Sequence, residues 1–125
     1  DIILKCINAS YTNIKVISEK NGERVLYLDY VICIETEKSS KLLVTTISET
    51  FLITAKLSDL AKELSDKDFV SVHRTCLANM KYIRKFNADS LEFTSGKTVN
   101  LSRRRLPEIK ELFSKYVSRK MRANQ

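Results

Sequence analysis

Apolar stretches in this chain are short, and each is cut off within a few residues by a turn-forming cluster. "YTNIKVIS" and "RVLYLDY" flank "EKNGE", where Asn21-Gly22 is a strong hairpin signal because both turn positions favour positive φ. "VICIE", the polar "TEKSS" and "KLLVTTI" then read as strand, loop and strand, and "ETFLITA" as another strand. "AKLSDLAKEL" breaks the pattern by placing Leu57, Leu60, Ala61 and Leu64 on one helical face, with Thr54 as the expected N-cap of a helix over about 55–64. Beyond it, "FVSVH" reads as a strand, "RTCLAN" as a tight corner and "KYIRKF" as the next strand. "NAD" and "SG" are turns around the strand "SLEFT", and "KTVNL" is the final strand. A second helix is expected over about 106–118, with Leu106, Ile109, Leu112, Phe113, Tyr116 and Val117 in one stripe. Pro107 suits its first turn, Glu108 and Glu111 its positive end, and Lys115, Arg119 and Lys120 its negative end. The fold class is therefore mainly β, with eight to ten short strands and two helices.

At 125 residues the chain is sized for one hydrophobic core, and 43% apolar residues is ordinary for a globular domain. No apolar run approaches the roughly 20 residues of a membrane helix, so no membrane partner is expected. The sequence starts at Asp1 without an initiator Met and reads as a fragment, the C-terminal output domain of something longer. Cys6, Cys33 and Cys76 are odd in number and far apart, which fits reduced, buried thiols in a cytoplasmic protein. His73-x-x-Cys76 is half a metal site, and the other cysteines lack ligand spacing, so neither a metal nor a cofactor is expected. Catalysis is not expected either. Two glycines leave no phosphate-cradling loop, one histidine gives no nucleophile–base pair, and Glu35 and Glu37 read as solubilising loop carboxylates.

Charge is distributed unevenly. Residues 1–68 carry 9 Lys+Arg against 11 Asp+Glu, and residues 69–125 carry 13 against 4. Basicity confined to one half points to a polyanionic partner. Two places there and one hairpin loop upstream offer cations to such a partner. In "LSRRRLPEIKEL", Arg103, Arg104 and Arg105 stand before a helix N-terminus, where the dipole already favours an anion, and Ser102 adds a hydroxyl. In "SVHRT", successive side chains alternate, so an inward His73 that bonds to the corner leaves Arg74 outward, with a planar fork suited to guanine O6 and N7 or to phosphate. In "EKSSK", Lys38 and Lys41 bracket Ser39 and Ser40 in a hairpin loop, a weak signal by itself.

From Phe69 onward the chain resembles the LytTR family of bacterial DNA-binding domains, common as output modules of response regulators in two-component systems. "FVSVHRTCLANMKYI" is similar to the family's F-x-R-x-H-R-S…N…I pattern, and "LEFTSGKTVNLSRRRLPEI" to its strand–turn–strand ending in S-R-R. "YLDYVICIETEKSSKLLVTT" and "FLITAKLSDLAKEL" extend the likeness upstream, so that it spans about 16–112. The resemblance implies an elongated domain of small antiparallel sheets over 16–125, with 1–15 as a linker remnant or extra strand. It implies sequence-specific binding of double-stranded DNA by a transcriptional regulator, with loops entering successive major grooves. Matched by position, Lys41, Arg74 and Arg104 would read bases, while Lys38, Ser40, Ser102, Arg103 and Arg105 would contact phosphates. Repeated promoter sites, a second copy on DNA and an upstream receiver domain are the further partners it implies. Ser71 departs from the family's basic residue two before the histidine, Thr75 keeps a hydroxyl in place of serine, and the third arginine shifts the reading position by up to one residue. Two other classes remain. An RNA-binding β-module would expose stacking aromatics, whereas Phe51, Phe69, Tyr82, Phe86, Phe93 and Phe113 fall mostly at inward positions. A protein-interaction domain with an incidental basic face is the other.

Overall fold

The computed structural model describes residues 14–19, 22–38 and 40–123. Among them are ten strands and two α-helices. The chain runs β1 (Ile14–Glu19), β2 (Gly22–Tyr27), a 3-10 turn (Leu28–Tyr30), β3 (Val31–Lys38), β4 (Lys41–Thr46), β5 (Thr50–Thr54) and α1 (Leu57–Glu63). It continues through β6 (Phe69–His73), β7 (Cys76–Asn79), a 3-10 turn (Met80–Tyr82), β8 (Ile83–Phe86), β9 (Ser90–Phe93) and β10 (Thr98–Asn100). A third 3-10 turn (Arg103–Arg105) leads into α2 (Leu106–Ala123).

The strands form a hairpin β1-β2, a central sheet in the order β5-β4-β3-β7-β6, and a small sheet β10-β9-β8. Every pairing is antiparallel. The central sheet is covered on both faces. On one side Ile32, Cys33, Val70, Val72, Cys76 and Ala78 pack with Phe93 and Leu91 of the small sheet and Ile109 and Tyr116 of α2. On the other side Val31, Ile34, Val44, Phe69 and Leu77 pack with Ile17 and Leu26 of the first hairpin and Leu60 and Leu64 of the α1 region. Burial on both faces is why "VICI" is an unbroken apolar run where a half-exposed strand would alternate. A bulge between Val31 and Cys33 lets Ile32 and Cys33 share a face. Each large side chain in these two layers stabilises the fold by about 1.5–3 kcal/mol relative to exposure.

Several boundaries differ from the sequence reading. Glu19 pairs with Gly22, so the hairpin turn is at 20–21, outside the described residues, and Gly22 opens β2 at φ +146°. "TEKSS" is not a loop: β3 runs on to Lys38 and pairs it with Lys41, leaving a two-residue connection. "RTCLAN" is not a corner, because only Arg74 and Thr75 turn, and Cys76–Asn79 form an inner strand of the central sheet. Four consecutive buried residues carry no alternation to betray it. Thr54 does not cap α1. Lys56 holds the N-cap position without a side-chain bond, and the Thr54 hydroxyl accepts from Lys41 Nζ at 2.8 Å. The second helix runs past 118 to Ala123, with Val117 exposed at the margin of its stripe. The segment 1–15, read as linker or extra strand, lies outside the described residues up to 13, and β1 begins at Ile14.

Candidate nucleic-acid interface

Strand connectivity brings the basic loops to one end of the central sheet. Lys38 and Lys41 face each other across the β3–β4 turn, and Ser40 within it has φ 66°. The Ser40 carbonyl accepts from the Ala55 N–H at 3.1 Å, which fastens this turn to the end of β5. Ser39 lies outside the described residues. The β6–β7 turn sits at the same end, because β3 pairs Glu35 with Cys76 and the Thr36 N–H donates to the Thr75 carbonyl at 2.9 Å. Past β6, the Ser102 N–H donates to the Val72 carbonyl at 2.8 Å, docking the start of the arginine run beside the final turn of that strand. The order across the sheet end is therefore Lys41, Lys38, Arg74, then Ser102 and the three arginines. With neighbouring strands about 4.8 Å apart, Lys41 and the Ser102 backbone are separated by on the order of 20 Å, with Arg74 between them.

His73 explains why Arg74 projects. Its Nδ1 accepts from the Thr75 N–H at 3.2 Å and lies 2.7 Å from the Thr75 hydroxyl, so the ring proton belongs on Nε2. The half-buried imidazole clamps the turn, and the exposed Arg74 occupies its tip. Arg74 and Arg104 make no ion pair or side-chain hydrogen bond among the described residues, and both are exposed. Lys38 is likewise exposed and unpaired among them. Arg103 lies 3.8 Å from Asp89, and Arg105 lies 3.7 Å from Glu108. Ser102 precedes the 3-10 turn without a side-chain cap bond, leaving its hydroxyl available.

One cation at this end escaped sequence reasoning. Lys97, in the β9–β10 turn, bonds Glu35 at 3.0 Å and ties the small sheet to β3 just below the basic turns. Burial lowers its pKa, but the bond and charge of Glu35 raise it by more, so it stays charged. Its long-range partner is fixed only by the packing of one sheet on another. Glu35, read from sequence as a solubilising loop residue, is half-buried in this pair. The aromatics behave as read: Phe69 and Phe93 are buried, and Phe51, Tyr82, Phe86 and Phe113 pack partly buried against the two cores. No described helix is long and apolar enough to cross a membrane.

These features define a small β-rich domain that displays separate basic turns along one sheet end. The family model of the LytTr DNA-binding domain matches residues 21–114. The chain belongs to that family of DNA-binding domains, which is not an enzyme family. A solved structure described as the LytTr DNA-binding domain of a methyl-accepting/DNA response regulator from Bacillus cereus superposes with a TM-score of 0.65 at 18% identity, over 80% of this chain and 95% of that one. No curated protein matches the chain.

Proposed function

We propose that the chain binds duplex DNA sequence-specifically through the basic turns at the end of its central sheet, as part of a transcriptional regulator. The observation that carries this reading is the row of Lys41, Arg74 and Arg104, of which Arg74 and Arg104 are exposed without acidic partners among the described residues. Major grooves on one face of B-DNA recur about every 34 Å. Outer side chains starting on the order of 20 Å apart and splaying outward can reach two adjacent grooves; three grooves in succession are beyond them. Lys41 and Arg104 then enter neighbouring major grooves, and Arg74 faces the minor groove between them, where a guanidinium reads width and A·T content. Lys38, Ser40, Ser102, Arg103 and Arg105 contact the flanking phosphates and set the register. Lys41 gives up only a neutral bond to Thr54 to engage DNA. Two copies on repeated promoter sites, and an upstream receiver domain whose phosphorylation favours that pairing, complete the proposal. The support for these last two is the family resemblance.

The test is selection of bound duplexes from a random pool, repeated with Arg74→Ala and Arg104→Ala. Each substitution should weaken the selected site by about 1–3 kcal/mol and relax preference at its own position, centre or flank. Arg103→Ala should instead weaken selected and random duplexes alike and lower the salt slope by roughly 0.9. Equal losses on selected and random DNA for both Arg74→Ala and Arg104→Ala would refute base reading.

A further inference from the structure

The central sheet ends at β6, and nothing among the described residues pairs with the outer edge of that strand between Phe69 and Ser71. The phase of the ladder is fixed by the Met80 N–H donating to the Asp68 carbonyl at 2.9 Å. Alternation in an antiparallel pair then turns the backbone groups of Val70 toward β7 and those of Phe69 and Ser71 outward. These outward groups open into a groove of about 660 Å³ between α1 and α2, which cover opposite faces of the sheet. Phe69, Val70, Met80 and Leu112 give it an apolar floor. Lys115, Arg119 and Arg122 of α2 line one wall, the small Ala61 and Ser65 line the other, and no acidic residue lines it.

We propose that this groove binds an extended acidic segment of a partner protein, which adds to β6 as a sixth strand. An added strand directs alternate side chains to its two faces. Acidic ones would meet the α2 cations, and small apolar ones the Ala61 wall. Arg122 has no partner among the described residues, and Lys115 is held by an exposed ion pair to Glu111. Arg119 pairs with the half-buried Asp68 and donates Nε to the Lys115 carbonyl at 3.5 Å, leaving the Lys115 pair for an incoming carboxylate to replace. DNA phosphate is the poorer occupant. Phosphate oxygens only accept hydrogen bonds, so the outward carbonyls of Phe69 and Ser71 would stay unpaired, whereas a peptide backbone supplies both donor and acceptor. A second copy is also disfavoured, because two such edges would bring like charges together. The wall lies beyond the family match, which stops at residue 114, while α2 continues to Ala123 and adds Lys115, Arg119, Lys120 and Arg122 without an acid.

The probe is a fluorescein-labelled peptide of about ten residues alternating Glu and Val, titrated into the full chain by anisotropy, with amide exchange followed by NMR. Binding in the range of tens of micromolar is expected, with amide exchange of Phe69 and Ser71 slowed about tenfold at saturation. Two further peptides, N-methylated on one or the other alternate set of residues, separate the edges: only one should lose about tenfold in affinity. Arg122→Glu should weaken the peptide about fivefold and leave binding to duplex DNA within about twofold. Absence of binding, equal binding by both methylated peptides, or unchanged exchange at Phe69 and Ser71 would overturn strand addition. So would a random-sequence duplex that displaces the peptide and shifts the Ser71 resonance, which would give the groove to nucleic acid, or a concentration-dependent dimer protecting the same amides.

Discussion

Asn79 is the buried polar residue whose removal should do the most damage. Its Nδ2 donates to the Val31 carbonyl at 2.8 Å and the Leu28 carbonyl at 3.1 Å, and its Oδ1 accepts from the Lys81 N–H at 3.0 Å. One side chain thus closes two 3-10 turns, the one that launches β3 and the one that launches β8. In Asn79→Leu all three bonds disappear. The Leu28 carbonyl keeps the Val31 N–H, and Lys81 lies at the surface where its N–H is rehydrated, but Val31 is 0% exposed and its carbonyl gains no water. One dry carbonyl and two other lost bonds, less the gain from burying leucine, destabilise the domain by about 2 kcal/mol. For a chain of this size that is a fall in Tm of roughly 7 °C. Urea unfolding followed by circular dichroism measures it directly, with an unchanged m-value showing that the folded and unfolded surfaces are the same. DNA affinity of the folded variant should hold, because Asn79 ends β7 at the opposite end from the Arg74 turn. A loss below about 1 kcal/mol would refute the reasoning, since it would mean the Val31 carbonyl finds another partner.

Three further outcomes follow from the same kind of reading. Lys97 is raised in pKa by Glu35 in spite of burial, so its pair stabilises the fold below the usual lysine value of 10.5 and is lost as pH rises through the folded value. Stability of the wild type should therefore fall more steeply above pH 10.5 than that of Lys97→Met, by about 0.5–1 kcal/mol given the partial exposure of the pair. Burial also raises Tyr82 and Tyr116, so the comparison with the variant, which keeps both, is what isolates Lys97. Gly96 turns the β9–β10 hairpin at φ +92° with open space where a Cβ would go. Gly96→Ala should then cost about 1–2 kcal/mol from backbone conformation alone in thermal melts, and Gly96→Asn less. Cys33 and Cys76 are buried side by side, and a hydrogen bond from the Cys76 S–H to Cys33 together with burial holds the Cys76 thiol well above the ordinary range. With Cys6 replaced by serine, thiol labelling of the native protein should proceed only at the rate of unfolding; prompt labelling would contradict the packing.

The sequence made the class of fold readable because short apolar runs and turn residues are local signals. The β9–β10 region and the start of α2 were legible for that reason: Gly96 and Pro107 punctuate the chain where the backbone demands it. Cys76–Asn79 was not, because a four-residue strand buried throughout has neither alternation nor length. Thr54 looked like a helix cap, but its hydroxyl is engaged across the strand by Lys41, a contact set by the β4–β5 register. The basic turns were visible as residues, yet their common placement was not. It depends on β3 lying between β4 and β7, and on one long-range bond from Ser102 to Val72. Lys97 stayed hidden for the same reason.

Gathering cations at one sheet end takes little energy, and that bears on how the proposed function is tested. Two unit charges about 10 Å apart in water repel by roughly 0.4 kcal/mol, and salt near 0.1 M screens most of that. Stability measurements will therefore hardly register Arg74→Ala or Arg104→Ala, whatever those residues do. Fixed geometry separates a reading surface from a merely solvated one: His73 and Thr75 hold one turn, Ser40 and Ala55 another, and Ser102 and Val72 the third. Thr75→Val tests that directly, because it removes the hydroxyl beside His73 Nδ1 and leaves every cation in place. If held turns are what reads sequence, this variant should keep its affinity and salt slope on random duplexes and lose discrimination for the selected site. A uniform loss on all DNA would place the role of Thr75 in folding, and no loss would show that a flexible basic turn suffices.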